Sequence, residues 1–260
     1  MLSQLLIGYA LTVALVVARI SAFVVVSPFP GQGVPKTQRA ALVIALTAAA
    51  LSTAEPVPRF FDLVTVAPTV VRELALGALV GLTFRGSLAA ADVAGELASH
   101  ALGLGSASLF NPALGTQDSA LARVFSTFAI LVALAMGAHR VVIQILLGSF
   151  RAVPIGGSFS PALAAPLLSE IAGGAVTLGL RIALPVLAVS LVIQVGLAVV
   201  ARMAPSLQIF NVGFAVLIGA GFLVILTAAH ELLQPLADHL GTLPARIDRV
   251  LGETVTPPQP

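Results

Sequence analysis

The sequence predicts an all-α, polytopic membrane-associated protein of kinked hydrophobic helices and helical hairpins. Three observations point to that class. Charge is scarce: 9% of the 260 residues are Asp, Glu, Lys or Arg, against about 25% in a soluble domain. Apolar residues make up 58% of the chain before its 23 glycines are counted. These residues also gather in runs that outlast a strand of about 4–8 residues, and several are long enough to cross a bilayer as helix.

The first run, Leu5–Val26, has 22 residues and one charge, Arg19. As a helix it is about 33 Å long, against about 30 Å of hydrocarbon. It has no basic leader and no small-residue cleavage site, so it reads as a span and not as a signal peptide. The second run, Ala40–Ala54, has 15 residues and is short for a span. The third, Leu63–Phe84, is interrupted by Pro68 and the pair Arg72-Glu73. The fourth, Val124–Ala138, continues past His139-Arg140 into Val141–Phe150. The fifth, Ile171–Val200, contains Arg181 and Pro185. The sixth, Ile209–Ala229, has 21 residues and no charge. Five to six hydrophobic helices are expected. Between the third and fourth lies Gly86–Arg123, rich in Ala, Gly and Ser. Ser27–Pro35 and Val153–Pro166 read as ordered turn regions, and Pro257–Pro260 as a disordered tail.

Charge distribution refines this picture. Thirteen basic and eleven acidic residues leave a net charge of +2, with no basic tract. That excludes a phosphate-neutralising surface for nucleic acid. The absence of cysteine excludes disulfides, thiolate metal sites and cysteine nucleophiles. Across six alternating spans, Lys36, Arg39, Arg85, Arg123 and Arg202 fall on one side. Arg59, Arg140, Arg151, Arg246 and Arg249 fall on the other, so basic residues assign no orientation. Arg19 and Arg181 lie well inside apolar runs, where a charge in lipid costs at least about 2.5–3.5 kcal/mol. With Arg72 and Glu73 they read as buried charges on helices packed against protein.

Gly77-x-x-x-Gly81 reads either as a close helix contact or as the ordinary abundance of glycine in membrane helices; Gly8, Gly213, Gly219 and Gly221 extend the small-residue theme. Asp92, Glu96 and His100 stand at i, i+4, i+8 on one helix face. Such a set can bind a metal or relay protons, but without a second cluster it reads as a polar face toward water or a pore. His139, His230 and His239 read as helix-end histidines at an interface. No GxSxG, HExxH, P-loop or GxGxxG occurs, so no catalytic, cofactor or metal residue is assigned and no enzyme is expected. Ser106–Ser119 (SASLFNPALGTQDS) places turn formers amid apolar chain. Irregular backbone at membrane depth must be buried in protein or line a watery cavity. A loop with an aromatic tip therefore suggests a constriction, with an ordinary extramembrane loop as the alternative.

Several segments together resemble one family. They are Arg19 in the first helix, Pro28–Arg39 (PFPGQGVPKTQR) and the Gly95-Glu96 helix leading into Ser106–Gln117. Phe150–Gly156 (FRAVPIG) and Ala204–Phe214 (APSLQIFNVGF) complete the set. In order, spacing and total length the chain resembles the FliR/SctT proteins of the flagellar and injectisome type III export gates. It departs from the family pattern at Asn111, often Asp in relatives, at Gln208, often Asn, and at Ala215, often Pro.

The resemblance implies a non-enzymatic subunit, without cofactor, of a multi-subunit export gate in the bacterial inner membrane. It implies partners similar to FliP/SctR, FliQ/SctS, FlhB/SctU and FlhA/SctV, and unfolded exported proteins as substrates. It divides the chain into a FliP-like part (1–165), a FliQ-like helical hairpin (166–240) and a tail (241–260). The loop at 106–117 is implied to plug the closed pore, through Leu109, Phe110, Asn111, Pro112 and Gly115. Two other readings rest on residues alone. One is a small-molecule or ion transporter of about six helices using Arg19, Arg181 and Glu73. The other is a membrane hydrolase using scattered Ser and His.

Overall fold

Long apolar runs leave backbone amides no partner but their own carbonyls, and helix is the local solution. In the computed structural model, nine α-helices make up the regular structure among the described residues, which are 2–31, 33–53, 63–104, 120–157, 161–203 and 209–254. They are α1 (Leu2–Val26), α2 (Lys36–Leu51), α3 (Leu63–Ala101), α4 (Ala120–Ala135) and α5 (Ala138–Ala152). After these come α6 (Pro161–Met203), α7 (Ile209–Thr227), α8 (Ala229–Gly241) and α9 (Leu243–Thr254).

Several hydroxyls inside the apolar helices are satisfied locally. Thr12 donates to the Gly8 carbonyl, Thr83 to Leu79 and Ser87 to Thr83, each four residues back. This lets those three residues sit in apolar helices with their hydroxyls paired. α2 begins just after Pro35, whose carbonyl accepts from the Gln38 and Arg39 amides.

Three elements differ from the sequence expectation. The third run and the Ala/Gly/Ser stretch fuse into α3, a helix of 39 residues. Alanine is the strongest helix former, and no proline follows Pro68 within α3 to stop propagation. The fourth run is not continuous. Gly137 takes φ +72° between α4 and α5, and the two helices bend by 68° there. That left-handed conformation is one that only glycine adopts cheaply. The expected tail at 241–260 is largely helix. Leu243, Ile247 and Leu251 form an i, i+4, i+8 stripe on α9, all three are buried, and α9 packs on α5. Pro244 sits in the first turn, where its missing N–H costs nothing.

The count of plain spans falls accordingly. Gly8–Val26, Val66–Ala101 and Ala165–Met203 are long and apolar enough to cross a membrane, and the bent α4–α5 pair makes a fourth if it acts as one span. α6, at 43 residues, is about 65 Å long, roughly twice the hydrocarbon thickness.

Two compact units divide the chain. The first is Met1–Ser87 with Gly137–Ile171 and Gly241–Pro260; the second is Leu88–Met136 with Ala172–Leu240. Their borders fall inside α3 at 87/88, between α4 and α5 at 136/137, inside α6 at 171/172, and at 240/241. In the first unit, α1 packs on α2, and Leu15, Val16, Ile20, Leu76, Val142 and Leu146 are buried. In the second, small residues set the spacing. A Cβ on Gly179 would stand 2.7 Å from the Ala90 carbonyl oxygen, and one on Gly95 would collide with the Ala122 backbone.

Candidate functional site

Among the fully buried side chains of the first unit is an arginine. Arg19 on α1 is 1% exposed, and Glu73 on α3 is equally buried. The Arg19 Nε donates to Glu73 Oε2 at 2.6 Å. Its Nη1 donates to Ser149 Oγ on α5 at 3.1 Å, and its Nη2 to the Val153 carbonyl, also at 3.1 Å. The guanidinium carbon lies 4.3 Å from the centroid of the Phe150 ring, a cation–π stack in an apolar setting. Ser149 Oγ in turn donates to the Leu146 carbonyl at 2.6 Å. The second carboxylate oxygen of Glu73 accepts the Gly156 amide at 3.3 Å.

The cluster therefore carries no net charge, and each of the guanidinium nitrogens has an acceptor. A buried pair offsets its desolvation only when its remaining donors and acceptors are met in this way. Mechanically, one side chain joins α1, α3, α5 and the turn that follows α5.

Glycine on α3 makes the approach possible. Gly77, one turn beyond Glu73, lies so close to Arg19 that any Cβ would overlap the Arg19 carbonyl; a Cβ on Gly81 would stand 3.1 Å from the Phe23 carbonyl oxygen. Gly77-x-x-x-Gly81 is thus a close contact between α3 and α1, which brings Glu73 within reach of Arg19. By contrast, Gly8 and Gly219 have no neighbour within 4 Å.

The other charges expected to be buried are not covered by this chain itself. Arg72 and Arg181 occupy exposed positions. Successive residues on a helix point about 100° apart, so Arg72 cannot share the inward direction of Glu73. Asp92 is exposed, and the His100 Nε2 lies 3.8 Å from Glu96 Oε2, with side chains 72% and 41% exposed. Among the described residues no group of three His, Asp or Glu side chains could hold a metal.

Leu109, Phe110, Asn111, Pro112 and Gly115 lie outside the described residues, as does the whole APSLQ stretch, 204–208. Their flanks are visible. α3 ends beyond Ala101 at Gly103, with φ +73°, and the Ala101 carbonyl accepts from Gln194 Nε2 at 3.0 Å. α4 begins at Ala120.

Spacing did not single out Ser149, Phe150 and Val153 as partners of Arg19, at least 130 positions away, or Gly156 as a partner of Glu73. The family resemblance had marked the FRAVPIG stretch without saying what it touches.

Residues 10–243 match the model of the bacterial export proteins, family 1. The chain belongs to that family. Among similar proteins, the flagellar biosynthetic protein FliR of Escherichia coli is 32% identical over 171 residues, which is 65% of either chain. That of Pectobacterium carotovorum is 34% identical over 173 residues, 66% of this chain and 65% of its own. That of Aquifex aeolicus is 29% identical over 236 residues, covering 89% of this chain and 90% of its own. The alignments to the first two thus span just under two thirds of those proteins. In this member of the bacterial export family, the match runs across Arg19, Glu73, Ser149 and Gly156 alike.

Proposed function

We propose that the chain is a non-enzymatic subunit of the flagellar protein-export channel, forming part of the gate through which unfolded proteins cross the inner membrane. The observation that carries this is the family match over residues 10–243, with relatives named flagellar biosynthetic protein FliR. Those names favour the flagellar apparatus over the injectisome.

Three physical features support the reading. α6 leaves Leu184, Leu191, Val192, Val195 and Val199 exposed along one chain, more apolar surface than a lone soluble protein tolerates. The membrane-depth arginine is locked in a neutral network, with no free charge left to bind a solute. The helices overrun a bilayer, so parts of them need protein neighbours. FliP/SctR-like, FliQ/SctS-like, FlhB/SctU-like and FlhA/SctV-like proteins are the proposed neighbours. Segment 106–117, with Leu109, Phe110, Asn111, Pro112 and Gly115, is the proposed plug, and 1–165 and 166–240 the proposed FliP-like and FliQ-like parts.

Deleting the gene in its host and scoring flagellin in the culture medium tests the role. Secretion should be lost and should return with the intact gene; undiminished secretion would contradict it. The transporter alternative loses its main support, because Arg181 is exposed and Arg19 is fully engaged.

A further inference from the structure

The end of α1 and the connector after it, the middle of α2, Phe84 of α3 and the start of α5 surround an open cleft that the Arg19 network does not use. It is shallow and open to the outside, and its walls include Phe23, Phe29, Leu42, Leu46, Phe84 and His139. The walls are almost wholly apolar. At one edge the chemistry changes. The His139 ring packs on Phe29 at 5.9 Å between centroids, and its Nδ1 is buried without a partner. Arg39 Nη2 donates to the Gly31 carbonyl at 2.9 Å, while its Nε is likewise buried and unpartnered. Gly31 lies two residues beyond Phe29, at most about 7.6 Å along the chain. Lys36 and Arg140, both exposed, flank Arg39 and His139 in sequence.

This edge is uniformly basic. No Asp or Glu occurs from Met1 to Ala54 or from Ser119 to Ser169, the stretches that supply all four of these residues. The cleft also lies at the C-terminal end of the Gly8–Val26 span, since Phe23 and Ser27 line it. The end of a span is the depth at which lipid headgroups begin. Val25 and Ile44, each 70% exposed, add apolar surface on the same two helices.

We infer that this cleft binds an anionic phospholipid, with an acyl chain against Phe23, Leu46 and Phe84, the phosphate at Arg39 and His139, and the exposed Lys36 and Arg140 adding longer-range positive charge. A polypeptide fits less well, because its amides would need partners that apolar walls do not offer. A free phosphate would leave the apolar cleft unused. Basic pockets beside spans hold lipid headgroups by the same charge complementarity.

The test uses the full chain in nanodiscs of equal dioleoylphosphatidylglycerol and dioleoylphosphatidylcholine, followed by native mass spectrometry of the lipid retained in detergent. Phosphatidylglycerol should be retained over phosphatidylcholine by about tenfold or more. Each of Lys36→Gln and Arg140→Gln should lower that preference about fivefold. Both side chains are exposed, so the variants should keep the thermal midpoint of the unaltered chain in lipid-free detergent. Leu46→Trp, which fills the cleft, should lower retention of both lipids. Equal retention of the two lipids, or an unchanged preference in both the Lys36→Gln and the Arg140→Gln variants, would overturn the assignment. So would a polypeptide crosslinked into the cleft in place of lipid.

Discussion

Arg19 shows how a single side chain can organise an apolar helix. Removing it by Arg19→Ala leaves the Glu73 carboxylate buried and uncompensated, which costs about 3–5 kcal/mol. Replacing both members, as Arg19→Met with Glu73→Leu, should recover most of that loss, because the desolvation of both charges disappears with them. Unfolding midpoints in detergent of Arg19→Met, Glu73→Leu and the double variant, measured as a double-mutant cycle, check this; equal losses for the single and the double changes would contradict it. Gly77→Ala should cost about 1–3 kcal/mol through overpacking at the Arg19 carbonyl, whereas Gly8→Ala, with open space around it, should cost nothing. At this scale the sequence was half legible. A charge in an apolar run announces burial, but the direction of burial depends on helix phase. Glu73 turned inward and its neighbour Arg72 outward, and Arg181 fell on a face that this chain leaves uncovered.

Helices were legible where hydrophobicity was continuous and less so where it was patterned. α1 and α7 follow their apolar runs closely. α3 outran its run because alanine-rich chain carries a helix forward without needing an apolar face. α9 was missed because its stripe of three apolar residues is embedded in polar sequence between Gly241 and Gly252. Its docking is testable by itself. Ile247→Ala at a fully buried position should weaken the helix by about 2–5 kcal/mol and speed hydrogen exchange in 243–254, leaving α1 protected; unchanged exchange there would contradict docking. The bend at Gly137 is likewise specific. Gly137→Ala forces a Cβ into φ +72°, a cost of roughly 1–2 kcal/mol, and should lower the unfolding midpoint more than Gly148→Ala does. Gly148 has open space around it and no positive φ.

For the whole molecule, composition indicated a helical membrane protein, and the distribution of its charge suggested packing against other chains. Periodicity alone could not supply the export role, because helical spacing reports which faces pack and not what the assembly does. It came from the order of short segments along the sequence, and the family match over residues 10–243 supports it. The proposed plug makes a direct claim on the assembled channel. Deleting 106–117 should let small solutes leak across the membrane of cells carrying the complex, and an unchanged leak would argue against a plug there. The most direct measurement of the export-gate role is affinity purification of the tagged full chain from its native membrane, with the stoichiometry of what accompanies it read by mass spectrometry. A gate subunit should come down in a large complex with several FliP-like and FliQ-like chains at a fixed ratio. A stable, partner-free monomer in mild detergent would contradict the assignment.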